Sequence, residues 1–93
     1  MNVKEYGLKH VDGKSFTITE EMIKGDKMDV RDCAGARLLK SLFPKEYHKD
    51  IQWGRRFGFC NYHESDGVLI SSNMDLMEAK QGDIIELKVE QNT

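Results

Sequence analysis

The sequence predicts an α+β domain, a sheet packed on one central helix, with elements in the order β-hairpin, helix, then two or three further strands. Three observations carry that prediction. Apolar and polar residues alternate with period 2 near both ends of the chain, at 15–19 and 84–90. One stretch of i, i+4 apolar spacing, at 29–43, lies between them. Asp12-Gly13, Ser65-Asp66-Gly67 and Gln81-Gly82-Asp83 mark turns.

Asp12-Gly13 is the clearest turn, because this pair accepts the positive φ angles of a tight hairpin. Beyond it Phe16 and Ile18 alternate with Ser15, Thr17 and Thr19; before it Tyr6 and Leu8 share a parity. The reading is a hairpin of residues 2–10 with 15–19. From Asp29 the period changes. Val30, Ala34, Leu38 and Leu42 line one helical stripe, widened by Cys33 and Leu39. Asp29 is the expected N-cap, Asp32 suits the first turn, and Pro44 stops the helix. Gly35 costs about 1 kcal/mol against Ala inside a helix, so close approach to a sheet should compensate it. Residues 45–52 read as a polar loop or a single turn. Arg55 to Tyr62 is aromatic and strand-like, and Val68 to Ser71 follows a turn. Residues 73–80 hold a short helical turn with Leu76 and Ala79. In the closing strand Ile85, Leu87 and Val89 face one way, and Glu86, Lys88 and Glu90 the other.

Ninety-three residues make one domain, 1–93, with one modest core. A content of 39% hydrophobic and 32% charged residues excludes collagenous and low-complexity chains. The longest apolar run is Val68-Leu69-Ile70, far short of a membrane span. No apolar signal segment stands at residues 1–9, and two cysteines make no disulfide framework, so a cytoplasmic chain with reduced thiols is expected. Fourteen basic against sixteen acidic residues give a net charge of −2, which disfavours bulk electrostatic binding of nucleic acid or anionic lipid.

The Asp-Gly hairpin, the single central helix and the ending Gln-Gly-Asp-Ile-Ile-Glu-Leu-Lys-Val resemble β-grasp (ubiquitin-like) domains. That resemblance implies a mixed sheet wrapped on one helix, with the last strand pairing with the first. The family's sulfur carriers and modifiers end in Gly-Gly and its iron–sulfur members use four cysteines. This chain ends Glu90-Gln91-Asn92-Thr93 and has two cysteines, so neither activity is implied.

Arg55-Arg56-Phe57-Gly58-Phe59-Cys60-Asn61-Tyr62 is the sharpest string in the chain. It is similar to the octamer of RNA-recognition-motif domains, with Arg56 in place of Gly and Cys60 in place of Val. On a strand, Phe57 and Phe59 would share a face able to stack bases while Arg55 held phosphate. That motif needs a partner strand, for which Val3 to Leu8 stands nearest, and a helix after the octamer, where this chain instead reads as turn and strand. The alternative is a core strand whose aromatics pack under the helix. Trp53 beside Arg55 and Arg56 has the composition of a protein-binding hot spot, or else Trp53 closes one end of the core. Met74 and Met77 suit gap-filling or a contact surface.

Cys60 and His63 have C-x-x-H spacing, but zinc needs about four ligands and these two point to opposite faces of a strand, so no metal or cofactor is expected. Cys33 or Cys60 with His48 or His63 could form a thiolate–imidazole pair, although Cys33 reads as core packing. Glu20, Glu21, Glu64 and Asp66 read as solvated turn carboxylates, and no phosphate-binding glycine loop is present. The expectation is a non-catalytic intracellular module. It binds another protein through Trp53, Arg55, Arg56, Phe57, Phe59 and Tyr62; single-stranded RNA binding by the 55–62 strand is the alternative.

Overall fold

A computed structural model describes residues 2–61 and 67–90 of the chain. The first element corrects the expected hairpin, because Val3–His10 is a helix, α1. Asn2 caps it by accepting a hydrogen bond from the Glu5 amide at 2.8 Å, and Lys9 and His10 complement its C-terminal end. Val3 and Gly7 turn inward while Tyr6 packs against His10 and Phe43, a spacing of three and four. The shared parity of Tyr6 and Leu8 was too short a run to outweigh it. The partner strand that the RNA-binding octamer requires is therefore absent from residues 3–8.

Asp12-Gly13 does turn the chain, with Gly13 at φ +73°, but it leads from α1 into strand β1 (Ser15–Thr17). A short helix α2 (Glu20–Ile23) follows, capped by Thr19 Oγ1 on the Met22 amide. The main helix α3 runs over Ala34–Leu42, five residues later than the expected start at 29. The aspartates preceding it bind backbone instead: Asp26 accepts from the Met28 amide, Asp29 from Arg31 and Asp32 from Asp26. Such side-chain bonds hold the backbone in turns and compete with helix. Val30 is consequently 47% exposed rather than part of the stripe.

Strands β2 (Gln52–Trp53), β3 (Phe57–Cys60), β4 (Val68–Ser72) and β5 (Ile84–Glu90) complete a five-stranded sheet of order β1-β5-β4-β3-β2. The fold is α+β. Every pairing is antiparallel, which corrects the expected mixed sheet: β2 to β5 form a meander, and neighbours reached by short connections must reverse direction. One face of the sheet carries Trp53, Cys60, Val68, Ile70, Ile85, Leu87 and Val89, all buried beneath α1 and α3. Leu38 and Ile18 are buried as expected; Phe16 and Leu42 are only partly so, because β1 is an edge strand and Leu42 ends its helix. Strands β3 and β5 alternate residues buried on the face beneath those helices with exposed ones, Phe57, Phe59, Ile84, Glu86 and Lys88, on the opposite face.

Candidate functional site

Trp53 does not reach the surface. It is 1% exposed, in a slot that two glycines create. A Cβ on Gly35 of α3 would lie 2.2 Å from the indole Cγ, and a Cβ on Gly58 of β3 would lie 2.1 Å from its Cε3. Gly35 thus receives the close approach that its helical position demands, and the closest group is this ring. The indole Nε1 donates to the Arg55 carbonyl at 3.1 Å, the Trp53 amide donates to the Val30 carbonyl, and the Trp53 carbonyl accepts from Cys33 Sγ. This corrects the placing of Trp53 in a partner contact: a large apolar ring is buried wherever a slot of its shape exists.

The buried ring anchors what lies outside it. Arg55 and Arg56 form the turn between β2 and β3, held by bonds from the Gly54 amide to the Phe57 carbonyl, Leu76 to Arg55, and Ser72 to Arg56. Arg55 also pairs with Asp75 at 2.8 Å. From this turn β3 alternates strictly: Gly58 and Cys60 are buried, while Phe57 is 52% and Phe59 36% exposed on the open face. Register sets their neighbours. Phe59 lies between Gln52 and Leu69, with Glu90 beyond Leu69; Phe57 lies beside Ser71, with Lys88 beyond. Ser71 Oγ donates to Glu90 Oε1 at 2.7 Å. The face therefore has an apolar centre of Phe57, Phe59 and Leu69, with Glu90, Lys88, Glu86 and the exposed Ile84 along β5. Tyr62 and His63 lie outside the described residues. Sequence reasoning passed over Leu69, which a parity reading of 67–72 opposite the aromatics would have assigned to the same face as Ser71.

The candidate chemistries find little here. Cys33 and Cys60 are both buried and in no disulfide, and His48 Nε2 is hydrogen-bonded to the Phe43 carbonyl at 2.8 Å. Among the described residues no group of three or more His, Cys, Asp or Glu could hold a metal ion, and no helix is long and apolar enough to cross a membrane. A crevice beside Trp53 and Cys33 encloses about 10 Å³, room for one water. An open groove of about 540 Å³ runs between α2 and α3, but its cations are engaged: Arg37 with Asp32 and Glu21, Lys40 with the Arg31 carbonyl.

Asp75 is held below the usual aspartate range, first by the Met77 amide bonded to it and then by the Arg55 guanidinium. Asp32 is lowered by the Asp26 amide and then by Arg37. A carboxylate whose folded pKa is depressed stabilises the fold above its unfolded pKa, and that contribution disappears as pH falls through the folded pKa. Urea melts should therefore lose stability below about pH 4, and Asp75→Asn should lose less over the same interval than the native chain does. An unchanged acid limb in that variant would remove Asp75 from the cause.

No protein-family model, curated protein or solved structure matches this chain.

Proposed function

We propose that this chain is a non-catalytic, intracellular protein-binding module whose contact surface is the open face of its sheet. The exposure of Phe57 and Phe59 on the face opposite α1 and α3 is the observation that carries the reading. Two aromatic rings and Leu69 at the centre, with charges of both signs around them, match the apolar core and polar rim of protein interfaces. Arg56 flanks Phe57 on a turn fixed by the buried Trp53, so the surface is pre-organised and little ordering opposes binding. Two buried thiols fit a reducing compartment.

Single-stranded RNA is the second reading. The same rings, two residues apart on an open strand beside an Arg pair, offer a stacking platform. The carboxylates of Glu86 and Glu90 on that face, and the net charge of −2, oppose a polyanion.

The double substitution Phe57→Ser with Phe59→Ser separates face from core. Its unfolding free energy in urea melts should fall by only about 1 kcal/mol per site, from lost strand preference and partial burial, well short of a core truncation. Its protein contacts in a pull-down should vanish. A fluorescence titration with mixed-sequence RNA supplies the other arm. Salt-sensitive micromolar binding, lost in Phe59→Ala, would transfer the face to RNA.

A further inference from the structure

We infer that the partner of the open face is a second copy of this chain, a conclusion that rests on the protein-binding reading and names the protein bound. The register places the outward side chains at the centre of the face in two rows, while farther along β5 Glu86 pairs with Ser15 and Ile84 with Thr17. One row is Gln52, Phe59, Leu69 and Glu90; the next is Phe57, Ser71 and Lys88. Residues two apart on a strand are about 7 Å apart, so the rows are separated by that distance. A two-fold axis lying between two such faces, crossing the strands midway between the rows, exchanges one row with the other. It sets Phe57 of one copy on Phe59 of the second, Ser71 on Leu69, and Lys88 on Glu90.

Each of those contacts occurs twice, which is the requirement of an isologous interface. The face meets that requirement in both charge and shape. Each phenylalanine receives a phenylalanine, and Lys88 and Glu90 each receive the opposite sign. Ser71 already holds the Glu90 carboxylate on the face through its 2.7 Å hydrogen bond. An axis parallel to the strands fails the same test, because it keeps each row on itself. Lys88 then meets Phe57, Ser71 or Lys88 of the second copy, never Glu90. Face-to-face sheets about 10 Å apart interdigitate side chains of this size. The apolar centre is small, three side chains on each copy, so the assembly is a weak, concentration-dependent dimer with charge pairs that fix its register.

Sedimentation equilibrium on the full chain tests the arrangement, with circular dichroism verifying that each variant is folded. The native chain should dimerise in the micromolar range, and Phe57→Ser with Phe59→Ser should be monomeric. Lys88→Glu alone and Glu90→Lys alone each place like charges together, and each should weaken the dimer by about tenfold or more. Combining both substitutions in one chain restores opposite signs and should restore dimerisation. Mixing the two single variants should do the same, giving a dimer of one copy of each. A native chain that stays monomeric, or singles that weaken without rescue by combination or mixing, overturns the second copy as occupant. If that monomer still loses a different protein contact on Phe57→Ser with Phe59→Ser, the interface reading survives without the dimer; if it loses none, both fail.

Discussion

Trp53→Ala should lower the unfolding free energy by about 3–5 kcal/mol, the range for removing a large buried ring, in urea melts followed by circular dichroism. That is a large part of the 5 to 15 kcal/mol, roughly, available to a domain. The size follows from what surrounds the ring. The slot is shaped by the absence of side chains on Gly35 and Gly58, so the two backbones that face the ring bring no side chain to fill it, and the Arg55 carbonyl loses its indole donor. A reciprocal substitution makes the point with its sign. Gly→Ala within a helix ordinarily stabilises by about 1 kcal/mol. Gly35→Ala should instead destabilise, by roughly 1–3 kcal/mol or more, because its methyl would fall 2.2 Å from the indole and force ring or helix to shift. Trp53 is the single tryptophan of the chain, so its emission reports the ring's burial directly. A neutral or stabilising Gly35→Ala with unshifted emission would show that the helix and β2 are not in this contact.

Leu38→Ala carries the second large effect, a loss of about 2–5 kcal/mol. Leu38 is buried near the middle of α3, on the stripe that covers the sheet. Shortening it leaves a cavity between helix and strands, and Arg37 beside it ties α3 to Asp32 and Glu21, limiting collapse. A loss below about 1 kcal/mol would mean that the helix presents a different face to the core. Leu42→Ala, at the margin of the same helix, should cost distinctly less.

The largest element and the closing strand were legible in the residues because their patterns are long. Six residues of strict alternation, Ile85 to Glu90, set the face of β5, and Ala34 to Leu42 repeats its apolar positions over more than two turns. Short elements were not legible. In α1 one cap and one ring pair outweigh a parity of two residues, and α2 is a single capped turn. Before α3, three aspartates bonded to backbone amides took the place of the helix that periodicity alone suggested.

By itself the sequence determined the α+β class, the turns at Asp12-Gly13 and Gln81-Gly82, and the requirement that something approach Gly35 closely. It also determined that Phe57 and Phe59 share a face, since parity on a strand is a local property. Which side of the sheet that face occupies was decided only by the tertiary structure. Trp53, Phe57 and Phe59 are all large and apolar, and composition does not rank them. The ring opposite Gly35 and Gly58 found room and went inside, and pairing Trp53 with Gly58 left the two phenylalanines of the other parity outside. Burial goes to the side chain that the opposing backbone leaves space for, and that space is formed by residues eighteen positions before Trp53 and five after it.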